Sequence, residues 1–208
     1  MENKFFDLDS MEDNSTAPQT ADHTTALREG MMVVKFMNIH YERISSVKNL
    51  VGRLPKEGEQ YWLLTVNSFT AFTFVPFMIK ECGIIDELTI ATYSINKRII
   101  NSLVNLIDKG QIKHVDLYVS DSIRTKGVSV YDHLSSIIES YPDQIHVQYV
   151  WNHAKITLIR CGDLRFGIEG SGNHSENAEH EQYIFYNLPE AYEFRKNSLT
   201  NGAFTRST

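Results

Sequence analysis

The stretch Asn152–Tyr183, NHAKITLIRCGDLRFGIEGSGNHSENAEHEQY, decides how the rest of the chain is interpreted. It begins with a histidine and a lysine two residues apart, His153 and Lys155, at the start of an apolar run that predicts a strand. Alternate side chains of an extended chain share a face, so His153, Lys155 and Thr157 are expected on one face and apolar side chains on the other. An imidazole beside an ammonium group suits an anionic electrophile such as a phosphodiester.

A Gly-Ser-Gly-Asn turn and several carboxylates follow this strand. The pattern resembles the phospholipase D superfamily, whose signature is H-x-K, four residues, an aspartate, six residues, and then G-S-x-N. The motif's histidine, lysine, serine and asparagine fall on His153, Lys155, Ser171 and Asn173. The resemblance extends to a glutamate shortly after the asparagine, for which Glu181 is the first choice and Glu179 the second.

The aspartate of the signature is displaced. Arg160 occupies the position that the spacing reserves for the aspartate. Asp163 comes three residues later, and six residues separate it from Gly170, as in the signature. A lengthened hairpin with Gly162 and Asp163 in its turn accounts for this shift. In the family the aspartate supports the scaffold without touching the substrate, so its displacement affects the geometry more than the chemistry.

The resemblance implies a metal-independent phosphodiesterase that works through a phosphohistidine intermediate. Family sites are assembled from two copies of the motif, and this chain contains one H-x-K, so the resemblance implies a homodimer with a shared site. One His153 is then the nucleophile and its symmetry mate the general acid, while Lys155 and Asn173 bind the phosphate. Glu181 orients His153, and Ser171 hydrogen-bonds near the phosphate or the imidazole. No cofactor or metal ion is expected in this site.

Three substrate readings remain open. Short single-motif members resemble the bacterial endonuclease branch, which makes a nuclease acting on nucleic acid the first hypothesis. A catalytically silent module that binds nucleic acid or a protein is the second, favoured by the displaced aspartate. A phospholipid hydrolase is the third, and it would be expected to carry an apolar interfacial surface or an amphipathic anchor.

Length and composition predict one domain with an N-terminal tail. The 208 residues with 42% hydrophobic content suit a single core, assigned to residues 31–208. Residues 1–30 carry −5 of the net charge of −6 and predict a disordered acidic tail. No apolar run approaches the roughly 20 residues of a membrane span, so no stable membrane association is expected. Cys82 and Cys161 form no disulfide framework, which favours a cytoplasmic location.

The sequence also suggests a surface or a core position for several polar and aromatic residues outside the motif. Five bases are candidates for a cationic surface: Lys97, Arg98, Lys113, Arg124 and Lys126. Four histidines without partners at metal-ligand spacing are taken as structural or surface residues: His40, His114, His133 and His146. His174 and His180 are expected to be exposed on a connecting segment. Four phenylalanines are assigned to the core: Phe69, Phe72, Phe74 and Phe77.

Strand and helix patterns alternate along the chain. Strands are predicted at 61–66, 87–94, 113–120 and 145–151, and helices at 69–80, 97–109 and 128–140. The segment 33–50 fits either a short helix or a strand. This order predicts an α/β fold in which helices flank a mixed β-sheet on both faces, the sandwich that the resemblance also implies.

Overall fold

The computed structural model describes residues 44–65, 70–175 and 180–201. The predicted acidic tail, the first part of segment 33–50, Phe69 and Glu179 lie outside the described residues. From 44 to 51 the chain is helical (α1), which decides between the two predictions for the described part of that segment.

Among the described residues, seven strands and five further helices follow α1. The strands are β1 (Glu59–Thr65), β2 (Glu87–Thr92), β3 (Val115–Ser120), β4 (Ile145–Val150), β5 (Ile156–Cys161), β6 (Leu164–Gly170) and β7 (Glu181–Asn187). The helices are α2 (Phe74–Cys82), α3 (Lys97–Asp108), α4 (Ile123–Lys126), α5 (Val128–Ser140) and α6 (Pro189–Thr200). A 3-10 turn, Ala71–Thr73, precedes α2.

The strands form one mixed sheet in the order β1-β7-β6-β5-β2-β3-β4. The strands β2, β3 and β4 are parallel to one another, and every other neighbouring pair is antiparallel. The carboxyl ends of β2, β3, β4 and β6 therefore lie at the same edge of the sheet as the amino ends of β5 and β7. We call this edge the carboxyl edge and the other one the opposite edge.

Helices cover both faces of this sheet. The larger core packs α2, α3 and α5 against one face, and it includes the fully buried Phe74, Phe77 and Leu134. The smaller core packs Tyr192 and Leu199 of α6 against the other face. The predicted fold class, an α/β fold with helices on both faces of a mixed sheet, is confirmed. Phe72, Phe74 and Phe77 are buried as predicted.

Sequence periodicity located three of the six described helices, α2, α3 and α5. Helix α5 has the predicted bounds, and α3 begins after Asn96, whose Oδ1 accepts a hydrogen bond from the backbone N–H of Ile99 at 3.0 Å. Helix α2 begins later than predicted, at Phe74, so Pro76 lies in its first turn, where a missing N–H costs no helical hydrogen bond. Within the described ranges, no helix is both long enough and apolar enough to cross a bilayer.

Helix α6 was not predicted, because its apolar residues are few and irregularly spaced. Its attachment is partly ionic. Lys196 Nζ donates to Glu87, Asp116 and Thr89 on the sheet at 2.5–2.8 Å. Burial alone would lower the pKa of Lys196, but the hydrogen bonds to Asp116 and Glu87 outweigh it and raise the pKa. The helix is therefore anchored to β2 and β3 by a charge that is largely removed from water.

Candidate active site

The residues of the H-x-K and G-S-x-N patterns lie at the carboxyl edge. His153 and Lys155 are in the segment that joins β4 to β5, and Ser171 and Asn173 directly follow β6. Glu181 is the first residue of β7. Three neighbouring strands therefore supply the side chains that the motif assigned to a single site.

Strand register produces this arrangement. Ile156 at the start of β5 pairs with Glu169 near the end of β6, and the backbone N–H of Gly170 donates to the carbonyl of Lys155 at 3.3 Å. Gly170 in turn pairs with Tyr183 near the start of β7. The lysine of the first pattern thus lies directly beside the glycine that opens the second.

His153 does not lie in a strand, so the predicted alternation of His153, Lys155 and Thr157 on one strand face is wrong. Residues 152–155 have no regular structure, and β5 begins at Ile156. The cause is Asn152, whose Oδ1 accepts from the N–H of Ala154 at 2.6 Å and whose side-chain amide donates to the carbonyl of Tyr118 at 3.3 Å. This local turn ends the extended chain early and exposes His153 at the sheet edge.

Lys155 contacts His153 directly. Its Nζ lies 3.0 Å from Nδ1 of the imidazole and 2.9 Å from the carbonyl oxygen of the same residue. An ammonium group can only donate, so in this contact Nδ1 is the acceptor and the ring proton is on Nε2. The ring of Tyr93 lies beside the imidazole, with centroids 4.8 Å apart. In the contact with Lys155 the His153 ring is thus a neutral imidazole with its proton on Nε2.

Ser171 and Glu181 form a second polar pair beside Lys155. The Ser171 hydroxyl donates to the Glu181 carboxylate and accepts from the backbone N–H of Gln182 at 3.1 Å. Glu181 is buried. Burial lowers the pKa of Lys155, and the charge of Glu181 and the Tyr93 hydroxyl partly offset this effect. The ammonium group therefore lies close to a buried carboxylate.

The glycines of the turn are required by packing. A Cβ on Gly172 would lie 2.2 Å from the hydroxyl of Tyr183, and a Cβ on Gly170 would lie 2.0 Å from the carbonyl oxygen of Gln182. The Asn173 side chain is partly buried, and its buried Oδ1 has no hydrogen-bond partner among the described residues. The turn thus holds the Asn173 amide at the site, and the atom left unpaired is an acceptor rather than a donor.

His174 is buried, and the prediction that it is exposed is wrong. Its side chain has no exposed surface, its Nε2 lies 3.1 Å from the hydroxyl of Thr157, and its backbone N–H donates to Thr92 Oγ1 at 3.3 Å. Burial lowers the pKa of His174 to about 3, so the ring is neutral. His174 fastens the turn to β2 and β5, whereas His180 is exposed as predicted.

The displaced aspartate lies far from this site. Asp163 is exposed in the two-residue turn between β5 and β6, at the opposite edge, and Gly162 adopts a φ of +57° there. Arg160 points to the carboxylates of Glu87 and Asp86, at 3.3 and 3.9 Å. The interpretation of a hairpin that moves the aspartate along the chain agrees with this arrangement.

A cleft of about 260 Å³ opens beside His153. Its lining combines hydroxyls, aromatic rings and one cation: Tyr93, Ser120, Ser122, Lys126, Trp151, Asn152 and His153. Of the five candidate bases, Lys126 reaches this cleft, and Lys113 pairs with Asp86 at the opposite edge. Tyr93 and Trp151 belong to no sequence motif, because they approach His153 only when β2 and β4 end at the same edge of the sheet.

No family model matches the chain, and no curated protein matches it either. Several solved structures do. A polyphosphate kinase from Porphyromonas gingivalis aligns with a TM-score of 0.50 and 16% identity over 70% of this chain and 26% of its own. The likeness shows that the two share a fold, and this chain spans about a quarter of that enzyme.

Two further structures align with lower scores. They are a phosphatidylserine synthase from Haemophilus influenzae (TM-score 0.48, 14% identity, 71% of this chain and 39% of its own) and the archaeal chromatin protein TrmBL2 (TM-score 0.40, 11% identity, 85% and 62%). Both alignments cover most of this chain and only part of the other protein.

The buried His174 predicts a specific dependence of stability on pH. Unfolded histidine has a pKa of about 6.5, so below that pH the unfolded state gains a proton that the folded state binds only near pH 3. The free energy of unfolding therefore decreases as the pH falls below 6.5, by about 2 kcal/mol at pH 5. We expect urea unfolding of His174→Gln to lose about 2 kcal/mol less between pH 7 and pH 5 than wild type. His180→Gln is the matched control, and equal losses in all three proteins would contradict the assignment.

Proposed function

We propose that the protein is a metal-independent phosphodiesterase, a nuclease that acts as a homodimer through a phosphohistidine intermediate. The observation that carries the proposal is the contact between Lys155 and His153 beside the Ser171–Glu181 pair. An exposed imidazole, an ammonium group and a buried carboxylate within one small region are the groups that phosphoryl transfer requires. The fold shared with a polyphosphate kinase, an enzyme named for phosphate chemistry, is compatible with this proposal.

Each group has a defined task in the proposed reaction. Nε2 of one His153 attacks phosphorus and forms a P–N bond, while the bond to the leaving oxygen breaks and that oxygen takes a proton from the second His153. The second imidazole then removes a proton from water, whose oxygen attacks phosphorus and releases the first imidazole. Lys155 neutralises the charge of the nonbridging oxygens during both steps, and the neutral amide of Asn173 donates a hydrogen bond to them. The lysines of the two protomers perform the charge neutralisation that a metal ion performs in other phosphodiesterases.

The two imidazoles must begin in opposite protonation states. The general acid is the imidazolium form of His153, which carries protons on both Nε2 and Nδ1, so in that protomer the Lys155 ammonium donates to the His153 carbonyl alone. The nucleophile needs the lone pair on Nε2 and an acceptor for a proton on Nδ1, a task we assign to Glu181. Because the chain has one H-x-K, both forms require two protomers, which is why the active species is proposed to be a homodimer.

An exposed apolar surface borders the site and is proposed as the dimer contact. Trp62 and Leu64 of β1 are 75% and 67% exposed, and they line a groove of about 310 Å³ together with Ile184 and Gly170. We call the side chains of Trp62, Leu64 and Ile184 the β1–β7 patch. The smaller core that α6 forms with the sheet contains no residue of β1 or β7. Exposed tryptophan and leucine are typical of association surfaces, and a second copy placed here would lie next to Gly170 and Ser171.

Nucleic acid is the proposed substrate because the cleft offers aromatic and cationic surface together. Trp151 is 61% exposed and lines the cleft with Lys126 and His153. An exposed indole can stack on a base while the cation contacts the adjoining phosphate. A lipid substrate offers nothing to stack on such a ring. The cytoplasmic location stays a prediction from the sequence.

Loss of His153 should abolish cleavage while leaving the fold intact. We expect His153→Ala to lower the rate on single-stranded DNA and on a chromogenic phosphodiester at least about 1,000-fold in excess EDTA, because both the nucleophile and the general acid disappear. Lys155→Ala should lower it about 100-fold or more. His180→Ala replaces an exposed histidine that directly precedes Glu181 and has no assigned role, and it should change the rate less than about twofold.

Other outcomes of this assay are equally informative. Binding of nucleic acid without cleavage by the wild type would contradict the proposal and favour the silent module. Cleavage of phospholipid vesicles alone would favour the lipid hydrolase. Activity that disappears in EDTA would contradict a metal-independent mechanism.

A shared site makes one defective protomer dominant. Wild type and His153→Ala, co-expressed with different tags and purified as the heterodimer, should show less than about 1% of wild-type activity, since the one remaining His153 imidazole has no partner. Independent sites would instead leave about half of the activity. A heterodimer with His180→Ala serves as the control for tagging and assembly.

The β1–β7 patch predicts how the dimer is held. Trp62→Ser should be monomeric by light scattering at concentrations where the wild type is dimeric, because it removes the largest exposed ring of the patch. Its activity should fall and recover as protein concentration rises. Phe194→Ser is the matched control, since Phe194 is 64% exposed on α6. A Trp62→Ser protein that stays dimeric would place the contact elsewhere.

A further inference from the structure

A cluster of two histidines and one aspartate lies at the opposite edge, away from His153. Asp116 of β3 is the register partner of His146 on β4, and His114 directly precedes β3. Asp116 Oδ1 lies 3.0 Å from His114 Nε2 and 3.6 Å from His146 Nδ1. One potential ligand atom from each residue lies within 4.8 Å of the other two. His114 and His146 are far apart in the sequence, and the parallel pairing of β3 with β4 brings them together.

These separations are those of atoms that share a metal ion. Zinc binds histidine nitrogen at about 2.0–2.1 Å and carboxylate oxygen at about 2.0–2.2 Å. Two such atoms at angles of 90 to 109° around one ion are about 3.0–3.4 Å apart. The two separations between Asp116 and the histidines, 3.0 and 3.6 Å, bracket that range, and the two histidine nitrogens lie within 4.8 Å of each other. Side-chain rotations that bring these nitrogens closer allow one ion to reach all three residues.

The surroundings hold the aspartate ready for such an ion. Lys196 donates to Oδ2 of Asp116 at 2.8 Å, which leaves Oδ1 directed at the two imidazoles. Lys196 is also paired with Glu87, which Arg160 contacts as well, so the two carboxylates are balanced by two cations.

We propose that His114, Asp116 and His146 bind one divalent first-row transition-metal ion of the zinc type. Two imidazoles and one carboxylate select borderline ions such as Zn²⁺, Co²⁺ and Cu²⁺ over Mg²⁺ and Ca²⁺, which prefer oxygen ligands. Solvent fills the remaining position, because the His146 side chain is 57% exposed. The bound ion ties β3 to β4, and through Asp116 and Lys196 it also fastens α6. This site is separate from the proposed catalytic reaction.

Metal uptake by the full chain tests the proposal directly. Protein stripped with EDTA and desalted is titrated with Zn²⁺ against a chromophoric chelator, and Co²⁺ binding is followed by its visible absorption. Wild type should bind one equivalent, and His114→Ala and His146→Ala should each bind at least about tenfold more weakly, since even loss of an outer partner costs about 10–100-fold. His133→Ala, a histidine on α5 that contacts Asn101, should match the wild type.

A second readout separates binding from misfolding. Zn²⁺ should raise the Tm of wild type and His133→Ala by at least about 3 °C, and it should leave the Tm of His146→Ala nearly unchanged. His146 is largely exposed, so its replacement is expected to keep the fold. The proposal is overturned if the wild type takes up no stoichiometric Zn²⁺ or Co²⁺, or if both histidine variants bind as tightly as His133→Ala.

Discussion

The candidate site depends on the register of β5, β6 and β7. A shift of one residue would turn every side chain of a strand to the other face, and it would also separate Lys155 from Gly170. The register is held by close packing, since a Cβ on Gly167 would lie 2.1 Å from the ring of Tyr186. The Tyr186 hydroxyl donates to Glu169 at 2.8 Å, and Glu169 accepts from Arg195 of α6 at 2.7–2.9 Å. The hydrogen bonds of Glu169 thus link the register of β6 and β7 to the docking of α6.

The two edges of the sheet carry different polar chemistry. At the carboxyl edge, irregular backbone exposes His153 and places Lys155 beside a buried carboxylate. At the opposite edge, Lys196 and the carboxylates around it satisfy one another and hold α6. Such a division is expected because a sheet buried on both faces leaves its ends as the places where polar groups reach solvent. Stability and reactivity can therefore change independently.

Most of the fold was predictable because its signals are local. The apolar stripes of α3 and α5, the buried strands β2 and β3 and the half-buried strand β4 are determined by residues close together in the chain. Helix α6 was missed because its position depends on Lys196 reaching carboxylates on two distant strands. The exposure of His174 was predicted wrongly for the same reason, since its burial depends on Thr92 and Thr157, which belong to other strands.

The sequence alone determined the α/β class and the candidate reactive residues, since strand and helix periodicity and the spacing of His153, Lys155, Ser171 and Asn173 are properties of the linear chain. Tertiary structure decided which of those groups meet. The contact of Lys155 with His153, the stacking of Tyr93 and the grouping of His114 with His146 all require a particular strand order and register. Register is a long-range property, set by how distant strands pack together, and no local pattern encodes it.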